Sequence, residues 1–212
     1  MRAVALVPFK CFTRAKQRLR QQFSDAQVEA IGRAMLEDVL HALRDAPGLE
    51  QVRVLTDDDA VAEAAEAAGA RVRLRSPDPG LNAAIDEAAT EAADEGFDAS
   101  LVVLGDLPLL RPDDVALVLE QGLVCPVAIV PSNDGGTAML YRRPCTAIPA
   151  RFGEKSAERH IQTARDADLR CEVISAGDSP TGLDLDTPED IERLLASGRS
   201  CRTRDVLVGF SQ

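Results

Sequence analysis

Strand-like runs alternate with helix-patterned segments along most of this chain, and that alternation limits the folds open to it. AVALVP (3–8), QVRVLT (51–56), ARVRLR (70–75), SLVVLGD (100–106), VAIVPS (127–132), GTAMLYRR (136–143) and CEVISA (171–176) read as strands. Between Ser24 and Ala46, Val28, Ile31, Met35, Val39, Leu40 and Leu43 recur at helical spacing, after a capping serine and before Pro47 and Gly48. Further helices are predicted over DDDAVAEAAEAAG (57–69), roughly Ala83 to Glu95, the segment after Pro112 with Asp113 and Asp114 in its first turn, KSAERHIQTARDA (155–167) and Pro188 to about Ser197. The pattern implies βαβ units: an α/β chain whose mostly parallel sheet is covered by helices on both faces. Ligands in such folds sit outside the carboxyl ends of the strands, where PFK, GDLPLL and PSNDGG all fall. We read residues 1–212 as one domain, with 198–212 as an unassigned tail that docks a final strand or frays.

Composition narrows the function. No apolar run approaches the roughly 20 residues that span a bilayer, and MRAVALVPFKCF lacks a long apolar core with a cleavage site, so a cytoplasmic protein without a membrane partner is expected. The five cysteines (11, 125, 145, 171 and 201) form no CxxC pair, and His41 and His160 are far apart, which leaves oxygen as the ligand for any metal. A net charge of −11, one Tyr and no Trp oppose nucleic-acid binding. That charge leaves oligomerisation, a homodimer included, open.

The charge is also uneven. The first twenty residues carry Arg2, Lys10, Arg14, Lys16, Arg18 and Arg20 and no acid, which points to a local anion site. Only three of the 24 basic residues are lysines, Lys10, Lys16 and Lys155, and each falls in a stretch singled out on other grounds. A lysine is a compact charge that follows a moving phosphate. Opposite in sign are Asp184 and Asp186 in TGLDLDTPED, which an extended backbone turns to one face while Leu183 and Leu185 turn to the other. Thr187, Pro188 and Asp190 then read as a helix start. Asp106 ends a buried strand, and three carboxylates converging on one point need a cation. Mg²⁺ with substrate phosphates is the natural candidate, and a nucleotide site follows. PSNDGGT and RFGEKS supply glycines and the hydroxyls of Thr137 and Ser156 for a further anion, with Ser156 at a helix entrance. GxxxxGKS, GxGxxG and GxSxG are all absent.

PFKCFTRAKQRL, GLNAAI (80–85), GDLPLL (105–110), FGEKS with His160 beyond it and GLDLDTPEDI (182–191) occur in an order that resembles the guanylyltransferases of coenzyme F420 biosynthesis, over about residues 3 to 195. These act on 2-phospho-L-lactate, phosphoenolpyruvate or 3-phosphoglycerate. The resemblance implies a three-layer nucleotidyltransferase fold with a mixed, mostly parallel sheet, and transfer of GMP from GTP to a phosphorylated three-carbon acid with release of pyrophosphate. It implies Mg²⁺ on Asp106, Asp184 and Asp186, the acceptor on Thr137, Gly153 and Ser156, and Lys10 and Lys16 on the GTP phosphates. Arg14 and Arg18 accompany those lysines, and Asn82 is read as touching guanine or ribose. Relatives carry an Asn-Ala step where this chain has Ala138 and Met139, and Lys155 is placed to meet the acceptor's phosphate or carboxylate in compensation. Nucleotidyl transfer to another acceptor, a molybdenum cofactor or a sugar acid, is the alternative within enzymes, although those relatives open on a glycine-rich loop that VPFKCFTRAK is not. A non-catalytic nucleotide-binding protein of this fold is the alternative outside them.

Overall fold

A computed structural model describes residues 1–12, 16, 18–74, 80–175 and 182–210. Seven strands, β1 (Ala3–Pro8), β2 (Leu49–Thr56), β3 (Arg71–Leu74), β4 (Ala99–Val103), β5 (Val127–Pro131), β6 (Thr137–Arg142) and β7 (Cys171–Val173), form one sheet in the order β3-β2-β1-β4-β6-β5-β7. All neighbours run parallel except β6, which is antiparallel to both β4 and β5. The reversal follows from the connection: residues 132–136 are too few for a crossover and suffice only for a hairpin. It places Thr137 opposite Pro131, and so at the edge where β4 and β5 end.

The helices are α1 (Asp25–Asp45), α2 (Asp59–Ala67), α3 (Leu81–Asp94), α4 (Pro112–Gln121), α5 (Ser156–Asp166), α6 (Pro188–Ala196) and α7 (Arg202–Gly209). Residues of β1 alternate between two cores. Ala3, Ala5 and Val7 pack with α1, α2 and α4, while Val4 and Leu6 pack with α3 and α5. That two-sided burial is why β1 reads as a continuous apolar run, and it makes three layers. A third core joins Leu109, Leu183 and Leu185 to Ile31 and Met35 of α1, Ile191 and Leu194 of α6 and Leu207 of α7. It seats the two acidic motifs on the same helix.

Local signals set the helix ends. Ser24 and Gln27 exchange bonds as a capping box, and Thr187 and Asp190 do the same at α6 behind Pro188. The tail corrects the sequence reading: α6 is followed by α7, neither a strand nor a frayed end. Asp38 of α1 caps α7, taking the N–H groups of Arg202 and Thr203 at 2.9 Å each and the Thr203 hydroxyl at 2.7 Å. Among the described residues no helix is long and apolar enough to cross a membrane.

Candidate active site

Backbone contacts bring the acidic motifs together. Leu185 N–H donates to Asp106 C=O at 3.2 Å, tying GLDLD to GDLPLL, and Asn133 N–H donates to Gly182 C=O at 3.2 Å, tying PSNDGG to the same strand-like segment. Gly182 permits this approach, since a Cβ there would stand 2.9 Å from the Pro131 carbonyl oxygen. With Leu183 and Leu185 buried in the third core, Asp184 and Asp186 face the other way. Lys16, in a left-handed backbone conformation (φ 63°), sends its Nζ to Asp106 Oδ2 at 2.6 Å and to Asp186 Oδ1. Its side chain is only 6% exposed.

Electrostatics follow from that crowding. Burial, then the charges of Asp106, Asp134 and Asp186, push the Asp184 carboxyl up to about 6. Burial pulls the Lys16 ammonium down, but Asp106 and Asp186 outweigh it and hold it above the usual lysine range. Asp106 Oδ1 is buried and, among the described residues, has no hydrogen-bond partner. An orphaned carboxylate oxygen, a neighbouring acid reluctant to ionise and an ammonium already shared by two carboxylates together suit a hard cation with oxygen ligands. Among the described residues no three acidic or imidazole side chains close into a metal cage, so the fit is to an ion completed by water and substrate oxygens.

Beside Asp106 opens a cavity of about 260 Å³ lined by Pro8, Phe9, Lys10, Lys16, Leu81, Leu104 and Gly105. Phe9 N–H donates to Leu55 C=O at 3.0 Å and the Thr56 hydroxyl donates to Lys10 C=O at 3.3 Å, so β2 holds the basic loop over the sheet edge. Gly105 matters here, because a Cβ at that position would lie 2.4 Å from the Phe9 ring. The cavity therefore has two amines and a carboxylate on an apolar floor. A larger cleft of about 490 Å³, between α1, residues 108–112 and the start of α7, contains none of the predicted site residues.

No contact with this centre is seen for Arg18 or Arg20 among the described residues. Arg14 lies outside the described residues, Arg18 is exposed before a short 3-10 turn (Leu19–Gln21), and Arg20 pairs with Asp25. Asn82, read as a guanine or ribose contact, is engaged with the backbone of Phe152: its Oδ1 accepts from Phe152 N–H at 2.7 Å and its Nδ2 donates to Phe152 C=O at 3.2 Å. Its second amide hydrogen and the second lone pair of Oδ1 are what is left for a nucleotide.

A second polar cluster sits at the start of β6 and α5. Ser156 Oγ donates to Thr137 Oγ1 at 3.0 Å, and His160 Nδ1 lies 3.0 Å from the same oxygen. All three residues are buried. Gly153 (φ 122°) and Lys155 (φ 52°) shape the loop that enters α5, and Ser156 N–H donates to Gly153 C=O at 3.1 Å. Two links join this cluster to the acidic one: Leu104 N–H to Ala138 C=O at 3.2 Å, and the 132–136 turn, where Ala157 N–H reaches Gly135 C=O at 3.4 Å. Within that turn Asp134 accepts from the Ser132 hydroxyl and from Gly136 N–H at 2.8 Å, which together hold its carboxyl below the usual range. The sequence reading marked the turn but not Asp134, whose charge bears on Asp184; its signal was the run Asn-Asp-Gly-Gly.

Known proteins match over nearly the whole chain. The family described as "Guanylyl transferase CofC like" matches residues 3–211. The chain is similar to a phosphoenolpyruvate guanylyltransferase of Rubrobacter xylanophilus, 40% identical over 93% of this chain and 96% of that one. It is 41% identical to a 3-phospho-D-glycerate guanylyltransferase of Phenylobacterium zucineum (91% and 89%), and 34% identical to a 2-phospho-L-lactate guanylyltransferase of Methanothermobacter thermautotrophicus (98% and 90%). A solved cytidylyltransferase from Leptospira borgpetersenii shares the fold, with a TM-score of 0.65 at 18% identity over 100% of this chain and 94% of that one. The chain is a member of the CofC-like guanylyl transferase family.

Proposed function

We propose that the protein transfers GMP from GTP to the phosphate of a small phosphorylated three-carbon acid, phosphoenolpyruvate, 3-phosphoglycerate or 2-phospho-L-lactate, and thereby serves coenzyme F420 biosynthesis. The observation that carries this reading is the Lys16 ammonium shared by Asp106 and Asp186 beside the cavity that Lys10 also lines. An acid phosphate oxygen forms a bond to the α-phosphorus of GTP, the bond from that phosphorus to the bridging oxygen breaks, and pyrophosphate leaves with the electron pair. The attacking oxygen is already ionised at neutral pH, so no side chain removes a proton. His160, with both ring nitrogens engaged, fits that absence of a general base.

Lys10 and Lys16 neutralise the departing pyrophosphate, and Thr137, Gly153, Ser156 and Lys155 hold the acceptor in line. Asp106, Asp184 and Asp186 would hold Mg²⁺, which when bound supplies charge neutralisation at the α-phosphate. The apolar floor of Phe9, Leu81 and Leu104 suits a purine face. Mixing the protein with GTP, Mg²⁺ and each acid in turn, and following pyrophosphate, tests the reading. Release that depends on one of these acids supports it; equal release with sugar acids, or none with any acid, overturns it.

A further inference from the structure

The hydrogen count inside the Thr137–Ser156–His160 cluster leads further, on the reading that Thr137 and Ser156 face the acceptor. Arg151 N–H donates to His160 Nε2 at 2.8 Å. A backbone N–H only donates, so Nε2 is bare and the single hydrogen of the neutral ring is on Nδ1. Nδ1 therefore donates to Thr137 Oγ1, 3.0 Å away. The two hydroxyls share one further bond, at 3.0 Å, which uses one of their two hydrogens. One hydroxyl hydrogen is left over, and among the described residues neither hydroxyl has another partner. Burial, followed by the charges of Arg142, Arg159 and Arg151, keeps the imidazole neutral, with its pKa lowered to about 4, so the count holds at physiological pH.

We propose that His160 is a positioning residue for the acceptor: its Nδ1–H makes Thr137 an acceptor within the protein and so commits the remaining hydroxyl hydrogen of the Thr137–Ser156 pair to an anionic oxygen of the phosphorylated acid. Two neighbouring contacts support the arrangement. Asn82 fixes Phe152 at both backbone atoms while His160 fixes Arg151, so consecutive residues ahead of Gly153 are clamped from α3 and α5. The edge-on ring contact of Phe152 with His160, 5.0 Å between centroids, holds the imidazole plane. The device binds an anion by an oriented neutral donor, with no added cation.

The test combines a spectrum with a double-mutant cycle. The nitrogen-15 spectrum of the histidine-labelled free protein at neutral pH is expected to show hydrogen on Nδ1 and none on Nε2. In steady-state assays Thr137→Val and His160→Leu are each expected to raise the KM for the acid about tenfold or more and to leave the KM for GTP unchanged. Their double variant is expected to be no worse than the poorer single one. Thr137→Ser and His160→Asn, whose amide N–H points where Nδ1–H did, are expected to restore acid binding. Hydrogen on Nε2, a cationic ring, additive effects in the cycle, or losses that follow the melting temperature and affect both substrates equally would each overturn the inference. If His160→Leu does not fold, the spectrum and the Thr137→Val and Thr137→Ser pair decide. A wild-type protein that loads no phosphorylated acid overturns the proposed function and this inference with it, and the spectrum still reports the tautomer by itself.

Discussion

Lys16 Nζ sits 2.6 Å from Asp106 Oδ2 and donates at the same time to Asp186, so one ammonium holds the place between two carboxylates that a divalent ion would take. Among the described residues Asp106 Oδ1 remains without a partner even so. On the proposed reading, a lysine in this position would compete with the ion in the free protein, and its ammonium would be available to the GTP phosphates once Asp106 and Asp186 held that ion. Its left-handed backbone, uncommon for a residue with a side chain, marks the place as one that the surrounding structure enforces.

Replacing Lys16 separates the two roles. Lys16→Met is expected to bind Mn²⁺ more tightly than wild type in the nucleotide-free protein, by about tenfold, and to lose turnover by about a hundredfold or more. Titration calorimetry of the free protein and a pyrophosphate assay read the two effects. Unchanged Mn²⁺ affinity would refute the competition.

Asp184 is costly to the fold. Its folded pKa is raised to about 6 from 3.8, so at pH 7 the ionised group opposes folding; the penalty is absent below the unfolded value and grows as pH rises through the folded one. Asp184→Asn is expected to stabilise the metal-free protein by roughly 1–2 kcal/mol after solvent screening, and to lower turnover at least about a hundredfold. Asp106→Ala is expected to abolish turnover while far-ultraviolet dichroism stays native. Denaturant unfolding and kinetics on the same preparations measure both.

Gly105 offers a test that leaves every polar side chain in place. Gly105→Ala drives a methyl group into the Phe9 ring, 2.4 Å from the nearest ring carbon, and Phe9 belongs to the loop that carries Lys10. Overpacking of this kind costs about 1–3 kcal/mol. The expected result is a GTP KM raised severalfold, with a larger fractional loss in kcat/KM than stability accounts for.

His160 sets an acid limit. Its pKa falls from 6.5 to about 4 on folding, because burial and then Arg142, Arg159 and Arg151 disfavour the cation. The unfolded chain therefore binds the proton more readily, and stability present above pH 6.5 is lost as pH falls towards 4, by on the order of 3 kcal/mol. His160→Asn removes that dependence and leaves Arg151 N–H without its acceptor. The variant is expected to be less stable than wild type at pH 7, and the gap is expected to narrow as pH falls. Urea midpoints across that range would show a constant gap if the histidine were already charged in the native state.

Asp38 holds the C-terminal helix. Asp38→Ala removes all three hydrogen bonds at the start of α7 and is expected to cost about 1–2 kcal/mol. Hydrogen exchange confined to residues 202–210 would show the helix loosening first.

Much of the fold was legible because its signals are local. Ser24 with Gln27, and Thr187 with Asp190, are capping pairs three residues apart, and AVALVP is apolar throughout because both its faces are covered. The tail was not legible: α7 is capped by Asp38 from more than 160 positions away, and no spacing rule reaches that far. The same distinction runs through the site. Asp106, Asp184 and Asp186 were read as acids at a strand end and on one face of an extended segment; Asp106 lies in the turn after β4, Lys16 joins it to Asp186 and its charge bears on Asp184, but among the described residues the three do not close into a metal cage. Asn82 was read as a guanine or ribose contact, and its partner in the fold, the Phe152 backbone, lies 70 positions on. His160 shows its tautomer only through the backbone N–H of Arg151, a group every residue but proline carries and no motif advertises.

The backward course of β6 has a consequence for how such a protein is re-engineered. Because that strand begins, instead of ending, at the edge where β4 and β5 end, the five-residue hairpin before it opens directly beside Thr137, whereas the cavity beside Asp106 is lined by residues that end or follow β1 and β4 and by the start of α3. Lengthening or shortening residues 132–136 would therefore reach Thr137 directly and, through the Asn133 bond to Gly182 and the Asp134 charge on Asp184, the acidic segment as well, a coupling written into strand direction.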